Sequence, residues 1–267
     1  MSSSSRVFAV LGLFSKQRSV WHTDDINAAL GYSRASGYRY VKELVEAGLL
    51  QKVAAGHYAL GARIIELDYQ LRQSDPVLLA AAPVMDALAN RSKFDVVLST
   101  LFGRAQVIDT HRAGPGSSLR LAYGRGRPRP LFRGAAPKVM LAALPRGALK
   151  CIYDRHAEEI AAVGLAPTWG EFRRCMGHIQ EARFYLSLGE VEEGLGAAAV
   201  PILNAEGESL AALALVGTSN ALRAAGESRL AGWLHHAASA VRSTLDRDSP
   251  QCSTPAARRP SGWPSAS

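Results

Sequence analysis

Residues 30–50 read LGYSRASGYRYVKELVEAGLL, an amphipathic helical pattern whose first half is crowded with hydrogen-bond donors. Ser33 is placed to cap a helix that runs to about Ala47, and Gly48 ends it. At about 100° per residue, Gly37, Tyr40, Val41 and Leu44 gather on one side, while Ala35, Tyr38, Arg39, Lys42 and Glu46 face the other. The first side needs a partner inside the protein. The second carries cations, a phenol and a small residue, for which a buried helix has no use. A DNA major groove admits one α-helix, whose N-terminal residues reach base edges while Arg and Lys neutralise phosphates. Ser33, Arg34, Ala35 and Ser36 are small or flexible enough to lie near bases, and Arg34 or Arg39 can grip a guanine through two hydrogen bonds. An ordinary solvated basic face is the competing reading of this segment alone, and its neighbours decide for DNA.

Upstream, Val7, Val10, Leu11 and Phe14 recur at helical spacing. Thr23 ahead of Asp24 and Asp25 has the chemistry of an N-cap, opening a second helix over about 23–30 with Ile26, Ala29 and Leu30 inward, and Gly31 stops it. Downstream, Leu49–Val53 and His57–Leu60 read as a hairpin around an Ala-Ala-Gly turn. Three helices followed by a hairpin make a winged helix-turn-helix over residues 6–60, with Lys52 and His57 beside the wing tip as candidates to meet phosphate. GARIIELDYQLRQSD (61–75) is a linker helix with Ile64, Leu67 and Leu71 on one face.

From residue 76 the texture changes. A helix over 76–91 precedes strand-like runs at 94–102 and 105–112, a Gly/Pro/Arg-rich loop, and the helical AAPKVMLAALP. Helical segments follow over 146–163 and 168–187. Two apolar strands, GAAAVPILN and SLAALALVG, join through Ala205-Glu206-Gly207, and a last helix spans about 220–246. Hairpin-linked strands with helices between and after them predict an α+β chain, whose C-terminal α/β domain (76–246) is GAF/PAS-like around an antiparallel sheet rather than doubly wound. The composition of residues 1–5 and 247–267 predicts disorder at both ends.

At 267 residues, 48% hydrophobic and 20% charged, the chain has enough apolar material for packed cores, and its net charge of +8 is compatible with a nucleic-acid partner. Three cysteines without CxxC pairing point to a reduced, cytoplasmic protein and to neither a disulfide framework nor a zinc module. The apolar run 7–14 is too short to span a bilayer, so no membrane partner is expected. GxSxG, P-loop and HExxH motifs are all missing, His235 and His236 are adjacent and so point apart, and Cys151, His156 and Cys175 fall in helical segments. The expectation is a protein with no cofactor, no metal and no catalytic role.

DDINAALGYSRASGYRYVKELVEAGLLQKVAAGHYALGARIIEL resembles the IclR family of bacterial transcription regulators in its order of helix, Gly turn, Ser-Arg-rich recognition helix, EAGLL and a wing ending YALG. RPLFRGAAPKVMLAALP (129–145) and GEVEEGLGAAAVPILNAEGESLAALALVG (189–217) are similar to two stretches of the family's C-terminal half. The resemblance implies a double-stranded DNA operator, dimers or tetramers, and a small-molecule effector held between the sheet and the loop leading into helix 135–144. The implied effector residues are Phe132, Arg133, Gly134, Ala135, Ala136, Met140, Glu190, Ala197, Ala199, Ala214 and Val216.

Several positions depart from the family. Phe132 stands for its His, Arg133 for Ala, Pro137 for Gly, Ala197 for Cys, and Ala214 and Val216 for two positions that are often Ser. Ala197, Ala199, Ala214 and Val216 would form an apolar floor. Between Arg120 and Lys138 the run holds five arginines and one lysine with no acid, and Arg133 precedes the small-residue start of a helix whose amides suit an anion. An apolar slot with a cationic rim suits an aromatic or hydrophobic organic acid. Glu190 would contact that ligand or pair with an arginine. Gly37 replaces a β-branched residue, and at about 1 kcal/mol relative to alanine it is expected to loosen the recognition helix. Symmetric dimers are expected physically, because one helix reads a half-site and half-sites repeat about 34 Å apart. The alternative is a ligand-sensing adaptor that uses its winged helix for protein contact.

Overall fold

A computed structural model of the chain describes residues 3–102, 106–114, 126 and 128–248. Its internal contacts divide it into two compact units that part between Asp75 and Pro76.

In the first unit, α1 (Ser3–Leu11), α2 (Thr23–Leu30) and α3 (Arg34–Glu46) enclose Val10, Ile26, Tyr40, Val41 and Leu44. Helix α1 opens at Ser3, inside the serine-rich stretch expected to be disordered, because docking of Val10 in this core carries the helix back through exposed positions where serine is tolerated. The wing is antiparallel, β1 (Trp21–His22), β2 (Leu50–Ala54) and β3 (His57–Leu60), in the order β1-β3-β2. Strand β1 escaped sequence analysis because its two residues carry no alternation. Its pairing with β3 also moves the cap of α2. His22, not Thr23, caps the helix, its Nδ1 accepting from the Asp24 N–H at 3.2 Å. Thr23 turns inward, and its hydroxyl donates to the Gly56 carbonyl of the wing at 3.4 Å. Ala29, expected inward, is exposed, and Asn27 is buried beside Ile26 instead.

The inward face of α3 is Gly37, Tyr40, Val41 and Leu44, as the periodicity predicts. Gly37 has a different role from the one expected. A Cβ there would stand 1.5 Å from Asn27 Oδ1 and 2.6 Å from Asn27 Cγ, so the glycine is what lets α3 approach α2. Helix propensity alone makes Gly37→Ala stabilising by about 1 kcal/mol. The obstruction makes it destabilising by about 1–3 kcal/mol. Urea unfolding of the full chain should show that loss, and Asn27→Ala in the same chain should reverse its sign. A stabilising Gly37→Ala with Asn27 intact would contradict the packing account.

Helix α4 (Arg63–Ser74) buries none of its residues. Of the stripe expected from Ile64, Leu67 and Leu71, Ile64 is half-buried and the two leucines are exposed, while Ile65 and Tyr69 are 73% and 65% exposed.

The second unit is built on an antiparallel sheet in the order β6-β5-β4-β9-β8-β7, comprising β4 (Asp95–Phe102), β5 (Gln106–Ala113), β6 (Pro128–Arg129), β7 (Tyr185–Leu188), β8 (Leu195–Leu203) and β9 (Ser209–Thr218). Period-two alternation sorts its side chains into two cores. Val96, Leu98, Ala198, Val200, Leu213 and Leu215 meet α5 (Pro76–Ser92) and α10 (Glu227–Asp248). Val97, Ala197, Ala199, Ala212, Ala214 and Val216 meet α6 (Ala135–Ala142), backed by α7 (Arg146–Ala162) and α8 (Trp169–Ala182). Two predicted helices are shorter than expected. α8 stops at Ala182, with Arg183 in the left-handed region, because Tyr185–Leu188 pair along the edge of β8. The last helix is broken at Gly226 into α9 (Ser219–Ala225) and α10. The expected disorder of the tail beyond Asp248, and most of the arginine-rich loop, lie outside the described residues.

Candidate functional site

The first candidate surface is the outer face of α3. Ser33 caps the helix, its Oγ accepting from the Ser36 N–H at 3.3 Å and donating to Ser36 Oγ at 3.0 Å. Arg34, Ala35, Tyr38, Arg39 and Lys42 are all exposed, and Tyr38 is 62% open to solvent despite its ring. Arg39 and Lys42 make long i,i+4 contacts, to Glu43 at 3.8 Å and Glu46 at 3.6 Å, and the Arg39 guanidinium lies 5.1 Å from the centre of the Tyr40 ring. Such exposed pairs contribute about 0.3–0.5 kcal/mol and yield readily to a phosphate. Both acids lie in the C-terminal half, so the end of α3 that carries the helix's positive pole has cations and no carboxylate. In the wing, Lys52 is exposed on β2. His57 is partly committed, its Nδ1 lying 2.9 Å from the Ala55 carbonyl and its ring edge-on to His22 at 4.9 Å.

The second candidate lies in the sheet unit. Here the structure redraws the predicted floor. Every residue of α6 is buried, and Ala199 and Ala214 lie fully beneath the helix with Ala135, Ala136 and Met140. Alanine on both surfaces lets helix and sheet close together, so these five residues make a contact instead of lining a space. Gly134, Glu190, Ala197 and Val216 do line one: a narrow cleft at the end of the sheet, shared with Asp109, Arg129, Val191 and Leu195. Phe132 and Arg133 line a more open groove with Lys138, Cys175 and Tyr185. Glu190 belongs to both.

The donors predicted to await an anion already hold one. Gly134, at φ 86° where a side chain would be strained, donates its N–H to Glu190 Oε2 at 3.0 Å, and Lys138 Nζ donates to the same oxygen at 2.6 Å. Tyr185 accepts from Lys138 at 3.1 Å and donates to Glu190 Oε1 at 3.0 Å. Glu190 thus pairs with a lysine, and no arginine is needed. Burial pushes the Glu190 carboxyl up, but the hydrogen bonds from Lys138 and Gly134 and the ammonium charge outweigh it and hold the group below its ordinary value. Burial raises the Tyr185 phenol and the Cys175 thiol, so Tyr185 stays a donor and Cys175 stays a thiol.

A second buried pair was not foreseen. Arg129 Nη1 meets Asp109 Oδ1 at 3.1 Å, the two side chains being 9% and 4% exposed, and Ser99 donates to that oxygen at 2.7 Å. One acid in an apolar strand and one arginine in an arginine-rich run carry no pairing signal. Tyr185 and Lys138 were missed because 185 was read as helix and Lys138 as a rim charge. Among the described residues no cluster of three His, Cys, Asp or Glu could hold a metal ion, and no helix is long and apolar enough to cross a membrane.

Residues 3–54 match the IclR helix-turn-helix domain, and residues 70–243 match the family described as bacterial transcriptional regulator IclR C-terminal. The chain is similar to the HTH-type transcriptional regulator XynR of Escherichia coli, 25% identical with 80% of this chain and 85% of that protein covered. It is similar also to the HTH-type transcriptional regulator KipR of Bacillus subtilis, 26% identical with 78% and 83% covered. Among solved structures, an IclR family regulator from Brucella abortus shares the fold with a TM-score of 0.73 at 22% identity, covering 91% of this chain and 92% of that one. An IclR homolog from Microbacterium hydrocarbonoxydans, complexed with 4-hydroxybenzoate, does so with a TM-score of 0.72 at 22% identity, covering 92% and 100%.

Proposed function

The chain belongs to the IclR family of bacterial transcription regulators, and on that footing we propose how its surfaces divide the work of a DNA-binding, ligand-responsive regulator acting in the cytoplasm. Helix α3 lies in the major groove, with Ser33, Arg34, Ala35 and Ser36 nearest the bases, Tyr38 and Arg39 along the groove, and Lys42 on the backbone. Lys52 and His57 bring the wing to flanking phosphate. The observation that carries this is the exposed, acid-free first half of α3 mounted on a fully buried stripe. Protein contact through the same face is disfavoured by its lack of large exposed aliphatic side chains. The deciding experiment selects a duplex from a random pool with the intact chain and maps the protected bases. Protection of two half-sites about one helical turn apart, in the major groove, is expected; selection of no consensus would oppose it.

Two half-sites require two copies. Helix α4, with Ile65 and Tyr69 uncovered and no residue buried, supplies the surface on which they pair. Burying such side chains yields about 1.5–3 kcal/mol each. The double substitution Ile65→Ser and Tyr69→Ser is therefore expected to raise the dimer dissociation constant roughly 100-fold or more, as seen by sedimentation equilibrium. An unchanged association constant would move the interface elsewhere.

The cleft holds the effector. Ala197, Val216, Val191 and Leu195 offer an apolar wall, and two cations lie close by, Arg129 paired with Asp109 and Lys138 paired with the partly exposed Glu190. That combination fits a small organic acid with an apolar body, the class to which the ligand of the Microbacterium relative belongs. Calorimetry with aromatic and aliphatic acids beside their uncharged amides should give heat from acids, with a parallel change in operator affinity. Heat from the amides alone would exclude the class.

A further inference from the structure

We propose that Glu190 is a tethered competitor for the effector's carboxylate, and so sets which acids the site accepts. This rests on the effector cleft proposed above and adds a gate to it. Three donors from two elements converge on one carboxylate: the Gly134 N–H and Lys138 Nζ from the first turn of α6, and the Tyr185 hydroxyl from β7. None of them is specific to a glutamate. Lys138 is 5% exposed at its side chain, so without an anion its ammonium would be buried unneutralised. The site therefore favours holding a carboxylate, whether the chain's own or a ligand's, over standing empty.

The placement of Glu190 suits exchange. It lies in the turn between β7 and β8, between Gly189 and Gly194, both at positive φ (74° and 78°), and not in either strand. Its side chain remains 26% exposed while its partner lysine is buried. It also forms the wall common to the apolar cleft and the polar groove beside Phe132 and Arg133. Swinging Glu190 outward joins the two spaces and presents the three donors to an incoming acid, whose body then lies against Ala197 and Val216. Two carboxylates cannot share one ammonium without repulsion, so the ligand's arrival and the departure of Glu190 are one event. A tethered group competes at an effective concentration on the order of mM. Simple acids should lose to it, and only an acid whose body gains from the cleft should win. Uncharged analogues leave Lys138 without a neutralising partner if they displace Glu190, and are rejected.

The test uses the full chain and acetate, small enough for the space Glu190 vacates whatever the natural ligand, with benzoate and the neutral acetamide and benzamide beside it. Glu190→Ala is expected to bind acetate and benzoate at least tenfold more tightly than the unaltered chain by calorimetry. Both acids should raise its melting temperature, and neither amide should. Adding Lys138→Met should abolish the gain. Glu190→Gln keeps the side-chain shape and serves the same comparison if the alanine variant does not fold. Equal acid affinities in altered and unaltered chains, or no acid binding by either variant, would overturn the competitor. Gain of acetate binding in Glu190→Ala, with no acid ever altering DNA affinity, would keep the exchange and remove the effector role instead.

Discussion

Alanine at Arg34, Arg39 and Lys42 together is expected to weaken binding to a selected operator duplex by at least roughly 100-fold. Each guanidinium paired to a base edge gives about 1–3 kcal/mol of discrimination, and about 1.4 kcal/mol is tenfold in affinity. The same substitutions should leave the fold intact. All three side chains are exposed, their contacts to Glu43 and Glu46 are long, and the inward stripe of α3 is untouched. Alanine also favours helix. An electrophoretic shift beside a circular dichroism spectrum separates the two effects, since a basic face that is merely solvated would lose neither structure nor affinity.

Lys138→Met carries the second large effect. It strands the Glu190 carboxylate beside α6 with only Gly134 and Tyr185 as donors. Breaking one half of such a buried pair costs about 3–5 kcal/mol, and the partial exposure of Glu190 puts the expected loss near the lower end. Its pH dependence follows from the depressed carboxyl. A group whose folded value lies below its unfolded one stabilises the fold above the unfolded value, about 4.3 for glutamate, and that contribution is lost as pH falls through the folded value. The unaltered sheet unit should therefore lose stability below about pH 4.3. In Lys138→Met the ammonium that lowers the carboxyl is gone and burial raises it, so the gap between the two proteins should narrow as pH falls. Denaturant unfolding at a series of pH values checks this, and a gap constant down to pH 3 would show that the pair contributes nothing.

The two sites differ in how much of them sequence could reveal. The α3 surface was legible because a recognition helix is a local object: cap, period and outward cations all lie within a few turns, and the buried stripe fell where the wheel put it. Its glycine was not, because the reason for Gly37 is Asn27 on another helix. The sheet unit shows the same division. The resemblance put Ala197, Ala199 and Ala214 on one face of the two strands, but did not reveal that α6 would cover Ala199 and Ala214. Glu190 was visible as an acid and Lys138 as a base, yet their pairing depends on a turn and a helix start brought together across 52 positions of chain. Asp109 and Arg129 are hidden for the same reason. Caps and short edge strands failed differently: β1 exists only through its pairing with β3, and that pairing hands the α2 cap to His22.

The measurement that bears most directly on the account is the salt dependence of operator affinity for the unaltered chain and the triple variant at Arg34, Arg39 and Lys42, side by side. Each phosphate contact releases counterions and steepens the fall of log affinity with log salt by about 0.9. The account predicts a steep negative slope for the unaltered chain, and for the variant a lower affinity with a slope shallower by about 0.9 for each phosphate contact removed. Matching slopes and matching affinities in two folded proteins would place the DNA, if the chain binds it at all, on some other surface.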